Sequence, residues 1–72
     1  MEVKLFASLR ENRGKTASVE WREGLNGNAI LESLAIPAES VAIYLINGKN
    51  ADFNEPLSQS DVVSLFPPVG GG

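Results

Sequence analysis

The last six residues, Pro67 to Gly72, are the part of the sequence whose residue types suggest chemistry. The two prolines, Pro67 and Pro68, cannot continue a helix, and their fixed φ angles favour an extended segment that projects from the domain. Three glycines follow Val69, and a backbone without side chains can thread a passage too narrow for other residues. The pattern indicates the carboxylate of Gly72 on a thin, flexible tail. A frayed terminus without a function is the alternative at this point, because most chain ends are poorly ordered.

The composition excludes most self-contained enzymes. The 72 residues form one small domain and include neither cysteine nor histidine. A disulfide, a thiolate metal site and a cysteine nucleophile are therefore impossible, and the commonest general base and the best zinc ligand are missing. We expect a chain that is not an enzyme by itself and that binds no metal or cofactor.

The charge pattern indicates a protein partner. Nine acidic and six basic residues are spread singly along the chain, with a net charge of −3. No basic stripe is available for nucleic acid, and a mildly acidic protein suits a partner with a basic groove. No apolar stretch approaches the roughly 20 residues that span a bilayer, and no signal peptide pattern is present. We expect a cytoplasmic protein with no membrane contact.

Alternating apolar and polar residues predict two strands in the first third of the chain, at 2–7 and 16–21. The two strands should form an antiparallel hairpin around a turn or short helical turn at 8–14. The inward residues are Val3, Leu5 and Ala7 in the first strand and Ala17, Val19 and Trp21 in the second. Phe6 shares the charged face of the first strand, where it is either covered by a loop or exposed to a partner.

A short amphipathic helix follows at 29–35. Its apolar residues, Ile30, Leu31 and Leu34, have helical spacing, and Asn26 or Asn28 can cap its beginning. We expect Ile36-Pro37 to end it. A helix of fewer than about 12 residues is marginal in isolation, so packing on a sheet must hold it.

Two further strands complete the pattern. The segment 41–46 is a continuous apolar run, typical of a strand buried on both faces, and we expect it at the centre of the sheet. Asn47-Gly48 predicts a tight turn, followed by a small edge strand and a loop. The last strand, 62–66, leads directly into the prolines. Its inward residues are Val63 and Leu65, and Phe66 lies on the opposite face.

This order of elements predicts an α+β domain of the β-grasp, or ubiquitin-like, fold. We expect a mixed sheet of four to five strands with one helix packed on one face. The domain should comprise residues 1–66, and residues 67–72 should form an extended, flexible C-terminal tail.

Three segments carry a family resemblance. Residues 5–11, the Asn47-Gly48 turn and above all residues 65–72 resemble the sulfur carriers of the MoaD/ThiS type. The Phe-Ala-Ser-Leu-Arg-Glu stretch is more similar to the molybdopterin branch, the small subunits of molybdopterin synthase, than to the thiamin branch. The tail departs from the usual pattern in having three glycines, and Ser60-Asp61 replaces the common Gly-Asp turn.

The resemblance implies that Gly72 is the reactive residue. In this family an E1-like enzyme uses ATP and magnesium to adenylate the terminal glycine, and a sulfur donor converts the acyl-adenylate to a thiocarboxylate. Gly70 and Gly71, with Pro67, Pro68 and Val69, would form the stalk that enters partner active sites. The sulfur would go to the large subunit of molybdopterin synthase or to another acceptor enzyme.

The resemblance also implies a docking surface. Phe6 and Phe66 correspond to positions that contribute an apolar contact for the activating enzyme and for the large synthase subunit, and Arg10 is a candidate polar contact. Carriers of this type also serve thiamin synthesis and other pathways, and a ubiquitin-like modifier conjugated through Gly72 has the same tail. A simple protein-binding domain with a passive tail is the third alternative.

Overall fold

The computed structural model describes residues 1–68, and within them the chain forms five strands and one α-helix. The strands are β1 (Glu2–Leu5), β2 (Thr16–Ser18), β3 (Ile43–Ile46), β4 (Lys49–Asn50) and β5 (Val63–Phe66), the helix is α1 (Gly27–Leu34), and short 3-10 helices span Ala7–Arg10 and Ala38–Ser40. The predictions for Val69, Gly70, Gly71 and Gly72 lie outside the described residues.

The five strands form one mixed sheet in the order β2-β1-β5-β3-β4. β1 and β5 are parallel, and the other neighbours are antiparallel. The predicted β1–β2 hairpin is confirmed, as is the β-grasp fold with a mixed sheet and one helix. The prediction that 41–46 forms the central strand is wrong, because β5 lies between β1 and β3. β3 instead lies between β5 and the two-residue edge strand β4.

The prediction that this apolar run is buried on both faces is also wrong. Tyr44 and Ile46 are buried, whereas Leu45 is half-buried and Ile43 is 43% exposed. Successive side chains of a strand point to opposite faces, and the core lies on only one face of this sheet. Apolar residues on the other face therefore remain open in the described part of the chain.

The core lies on the helix side of the sheet, and its residues in β1 and β5 follow the predicted alternation. Val3, Leu5, Val63 and Leu65 have no exposed surface, and neither does Ile30 of the helix. The prediction for Ala7 is wrong, because β1 ends at Leu5 and Ala7 is an exposed residue that begins a 3-10 helix. Its φ of 52° lies in the left-handed region and turns the chain away from the strand.

The Asn47-Gly48 turn is confirmed and also contacts the beginning of β5. Both residues have positive φ angles, 52° and 83°, as the tight hairpin between β3 and β4 requires. The Asn47 Nδ2 group donates to Asp61 Oδ1 at 2.8 Å, and the Val62 amide donates to Asn47 Oδ1 at 2.9 Å. The turn and β5 are thus hydrogen-bonded at the end of β5 opposite the tail.

Helix α1 is capped at both ends by local geometry. The Asn26 side chain accepts a 3.0 Å hydrogen bond from the Ala29 amide, which confirms Asn26 as the N-cap. The helix ends at Leu34, and Ile36-Pro37 does not end it as predicted. Ala35 adopts a left-handed conformation at φ 56° and ψ 42°, and its amide donates to the Glu32 carbonyl at 3.2 Å.

Replacing Ala35 with glycine should stabilise the domain. A left-handed residue with a Cβ is strained, and glycine is the usual residue at this position of a helix end. We expect Ala35→Gly to raise the free energy of unfolding by about 1 kcal/mol, which corresponds to roughly 4–8 °C in Tm for a domain of this size. Thermal melts followed by circular dichroism measure the change.

The matched control for Ala35→Gly is Ala29→Gly, the same chemical change inside the helix. There glycine costs about 1 kcal/mol through backbone entropy, so Tm should fall. A decrease in Tm for both variants would contradict the assignment of strain to Ala35.

Candidate functional site

The tail leaves the domain from the central strand. β5 ends at Phe66, and Pro67 and Pro68 follow directly. Phe66 is held at this end because its carbonyl accepts the Ala42 amide at 2.8 Å and because it pairs with Ile43 of β3. The point where the tail begins is therefore fixed by hydrogen bonds of the sheet.

Phe6 and Phe66 are stacked beside the beginning of the tail. Their ring centroids are 4.2 Å apart and their planes differ by 7°. The parallel register pairs Leu5 with Leu65, so the residue that follows each of them comes to the same place. Because Leu65 is in the core, Phe66 lies on the face opposite the helix. The structure thus brings together two of the predicted site residues, both half-buried.

Arg10 joins this pair through the 3-10 helix. Its Nε donates to the Leu5 carbonyl at 2.8 Å, and its guanidinium carbon lies 5.3 Å from the centroid of the Phe6 ring. This distance is typical of a cation–π contact. The left-handed Ala7 makes the reversal possible, because the chain must turn immediately after Phe6 to bring Arg10 back over the ring. We call Phe6, Arg10 and Phe66 the aromatic cluster.

Two further apolar side chains extend the same face of the sheet. Ile43 pairs with Phe66 and Leu45 pairs with Ser64, so both point away from the helix. Ile43 is the one large hydrophobic residue classed as exposed in residues 1–68. Neither residue is among the predicted site residues, because the apolar run predicts a strand that is buried on both faces. The predicted fold itself indicates their exposure. One helix covers only one face of the sheet, so alternate positions of an internal strand must be open on the other face.

A groove borders the beginning of the tail on the side of the 3-10 helix. It has a volume of about 470 Å³, and Pro67 and Pro68 form part of its wall together with Leu9 and Pro37. The two prolines, predicted as tail residues that contact a partner, are half-buried and exposed respectively. They separate the aromatic cluster from Val69 to Gly72, which lie outside the described residues.

Residues 1–68 hold no group of three or more acidic side chains arranged to bind a metal ion. None of their helices is long and apolar enough to cross a membrane. What the site presents is an apolar surface with an arginine, next to a chain end.

Tyr44 is a buried titratable group that sequence reasoning did not single out. It lies on the helix side of the sheet, with its ring 4.6 Å from that of Phe53, and the absence of a side chain at Gly27 makes room for it. Its hydroxyl has no hydrogen-bond partner among residues 1–68. Burial, with smaller contributions from Glu55 and Asp61, raises the pKa of Tyr44 to about 12.

This environment predicts a loss of stability at high pH. The folded pKa of about 12 exceeds the ordinary value of 10.0, so the contribution of the neutral phenol is fully present below pH 10 and is lost as the pH rises towards 12. Urea unfolding across this range measures the decline, and Tyr44→Phe should show a smaller one. Since Tyr44 is the one tyrosine in the sequence, the absorbance of tyrosinate reports its titration directly. A titration midpoint near pH 10 in the folded protein would contradict this account.

A single mixed sheet, one covering helix and a chain end that leaves the central strand define a ubiquitin-like β-grasp protein. The model of the ThiS family matches residues 3–72, and the chain therefore belongs to the ThiS family. The prediction of a sulfur carrier family of the MoaD/ThiS type is confirmed.

Three relatives show how far the similarity extends. The molybdopterin synthase sulfur carrier subunit of Escherichia coli is 30% identical over an alignment of 80 positions, which covers 100% of this chain and 99% of the relative. The crystal structure of SAMP1, small archaeal modifier protein 1, from Haloferax volcanii has a TM-score of 0.80 at 29% identity and covers 99% of this chain and 97% of its own. A complex of subunits 1 and 2 of the molybdopterin-converting factor from Helicobacter pylori contains a chain with a TM-score of 0.64 at 28% identity, covering 99% and 96%.

Proposed function

We propose that this chain carries sulfur as a thiocarboxylate on Gly72 and donates it in the synthesis of molybdopterin. The observation that carries the proposal is the family match, which extends through Gly72, together with full-length similarity to a molybdopterin synthase sulfur carrier subunit. The geometry supports it, because a hydrogen-bonded central strand presents the tail and an apolar cluster lies where the tail begins. In this proposal residues 1–66 are recognised by the partner and residues 67–72 reach its active site.

The chemistry requires activation by a partner, because a carboxylate is a poor electrophile. A Gly72 oxygen attacks the α-phosphate of ATP in an E1-like enzyme that uses magnesium, and pyrophosphate leaves. Hydrosulfide delivered by that enzyme system then attacks the acyl-adenylate carbonyl and loses its proton, AMP leaves with the former carboxylate oxygen, and the thiocarboxylate remains on Gly72. The carrier itself holds neither ATP nor magnesium and is not the catalyst. Both the ATP and the sulfur donor are available in the cytoplasm, where we place the protein.

Two proteins would use the same docking surface. We propose that the aromatic cluster contacts the E1-like adenylating enzyme and, after sulfur loading, the large subunit of molybdopterin synthase. The H. pylori complex of subunits 1 and 2 supports a large-subunit partner. The segment from Pro67 to Gly71 would occupy a narrow passage in each partner, where residues without side chains fit.

Intact-mass spectrometry tests the proposal. The purified chain is incubated with the E1-like enzyme of the same organism, ATP, magnesium and a sulfur source. The expected product is heavier than the starting chain by the difference between one sulfur and one oxygen, and a reaction without ATP gives none. Failure to form this product with any adenylating enzyme of that organism would contradict the proposal.

The sulfur acceptor is tested separately. Thiocarboxylated chain mixed with the large subunit of molybdopterin synthase and its pterin substrate should return to the carboxylate form. A thiazole synthase in place of the large subunit should leave the thiocarboxylate intact. The opposite result would assign the chain to thiamin synthesis.

Conjugation to proteins is the second candidate function, and the similarity to small archaeal modifier protein 1 favours it. In that case a lysine amine of a target protein attacks the activated Gly72 carbonyl, AMP leaves, and an isopeptide bond forms. Digestion of denatured cell lysate should then yield lysine peptides that carry the chain's C-terminal residues. Their absence under conditions where the thiocarboxylate forms would leave sulfur transfer as the function.

A further inference from the structure

The strand β2 has a free edge. It is the first strand in the sheet order, so within residues 1–68 only β1 pairs with it. The Met1 amino group donates to the Val19 carbonyl at 2.9 Å, and the Val19 amide donates to the Met1 carbonyl at 3.0 Å. Backbone groups of an antiparallel strand point to alternate sides, so those of Thr16, Ser18 and Glu20 face away from β1. These groups can form hydrogen bonds with a further strand.

A groove of about 590 Å³ lies beside this edge, between the end of β2 and helix α1. We call it the edge groove. Its apolar wall contains Val19, Leu25 and Ala29, of which the first two are buried in the core. Trp21 completes the wall, and its indole is held in place because Nε1 donates to the Leu57 carbonyl at 2.9 Å. The groove therefore offers a fixed, half-buried indole to a side chain that enters from the free edge.

The beginning of β2 is positively charged. Lys15 precedes the strand and pairs with the core residue Leu5, so its exposed side chain lies on the helix side of the sheet. Lys4 lies opposite the first residue of β2. Arg13 and Glu11 are in the turn before the strand. Three cations and one carboxylate give this end a net charge of +2.

The other end of β2 is negatively charged. Its carboxylates are those of Glu2, Glu20, Glu23 and Glu32. Glu20 and Glu32 line the edge groove, whereas Glu2 lies opposite the last residue of β2. Two cations, Arg22 and the amino group of Met1, offset part of this charge and leave a net charge of −2. The free edge thus has opposite charges at its two ends.

We propose that β2 pairs antiparallel with β2 of a second copy of this chain, which joins the two sheets in a weak dimer. Antiparallel pairing puts the positive beginning of each strand beside the negative end of the other. When Ser18 lies opposite Ser18 of the second copy, Thr16 lies opposite Glu20. Each outward-facing residue then exchanges two backbone hydrogen bonds with its counterpart. The same register pairs Ala17 with Val19 on the helix side, so apolar side chains also meet.

This register also places Lys15 at the edge groove of the second copy. Lys15 lies opposite Trp21 of that copy, and both side chains are on the helix side because they share the parity of Val19. An ammonium next to an indole is favourable, and Glu32 lines the same groove. The two tails stay accessible in the dimer, because β1 separates β2 from β5. The dimer is therefore compatible with the proposed function and does not depend on it.

Sedimentation velocity between about 10 µM and 1 mM tests whether the chain dimerises. A contact of one short strand a side is much smaller than a standard interface, so we expect a Kd on the order of 100 µM. Trp21 is the one tryptophan in the sequence, and its emission should shift over the same concentration range. A chain that stays monomeric at 1 mM would overturn the proposal and leave the edge to a partner of another kind.

Exchange of charges tests the register. Lys15→Glu and Glu32→Lys should each raise the Kd of the dimer roughly 10-fold, because like charges then meet twice in each homodimer. An equal mixture of the two variants should form a heterodimer with a Kd within roughly 3-fold of that of the unchanged chain, since opposite charges face each other again. Lys49→Glu, the same change on the edge strand β4, should alter the Kd less than about 2-fold. Failure of the mixture to recover would overturn the proposed pairing.

Ser18→Pro tests the strand pairing separately from the charges. Proline removes an N–H that faces away from β1, so it breaks no hydrogen bond within the sheet, and its ring obstructs the addition of a strand. We expect a folded monomer at 1 mM, with folding checked by circular dichroism. A folded Ser18→Pro variant that dimerises as the unchanged chain does would place the contact on another surface and overturn the proposal. None of these measurements involves sulfur transfer, so their outcome is independent of the proposed function.

Discussion

Removing Gly71 and Gly72 should abolish thiocarboxylate formation and leave the domain folded. The reactive carboxylate in the proposed mechanism belongs to Gly72, and a chain shortened by two residues places its carboxylate up to about 7 Å short of the attacked phosphate. Nucleophilic attack needs the reacting atoms about 3 Å apart, so no residual reaction is expected. The product is measured by intact mass, and the first step is measured separately by ATP–pyrophosphate exchange.

The domain itself provides the control for this deletion. Within residues 1–68 the buried core residues all lie between Val3 and Leu65, so the melting temperature of the shortened chain should stay within about 1 °C of the full chain. The shortened chain retains the aromatic cluster and should still compete with the full chain for the activating enzyme. Unchanged thiocarboxylate formation would contradict the assignment of Gly72, and loss of competition would show that the glycines contribute most of the binding.

The parts of the fold that depend on local pattern could be predicted from the sequence. Alternation identified the inward residues of β1 and β5, and the Asn26 cap and the Asn47-Gly48 turn follow from residue types with known conformational preferences. Phe6 and Phe66 could be placed on the same side for the same reason. These features are set within a few residues of the chain, where sequence is most informative.

The features that depend on long-range pairing could not be predicted in this way. Whether β3 or β5 is central depends on the pairing of Val63 to Phe66 with both β1 and β3, and an apolar run alone does not reveal its neighbours. The exposure of Ile43 follows from the same arrangement. The contact of Arg10 with Phe6 depends on a left-handed alanine, a conformation that sequence assigns to glycine or asparagine first.

Phe66→Ala should weaken binding to the activating enzyme by about 2 kcal/mol, or roughly 30-fold in Kd. The reason is that half-buried aromatic residues at the centre of an apolar surface are frequent binding hot spots. The substitution removes the ring that stacks on Phe6 at 4.2 Å and lies beside Ile43. Phe6→Ala removes the other half of the stack and the ring beneath Arg10, so its effect should be similar. Isothermal titration calorimetry with the enzyme measures both. Because the rings contact each other, the double variant should lose less than the sum of the two single losses.

Phe53→Ala is the matched control, because Phe53 is the remaining one of the chain's three phenylalanines and is also half-buried. It contacts Tyr44 on the helix side of the sheet, the face opposite the stacked Phe6 and Phe66 rings, with ring centroids 4.6 Å apart. We expect Phe53→Ala to lower Tm by several degrees through lost packing and to leave the Kd unchanged below its melting temperature. Phe66→Ala should show the reverse balance, a large change in Kd and a smaller change in Tm. If the two variants changed Kd equally, the loss would reflect general destabilisation, and the aromatic cluster would not be the docking surface.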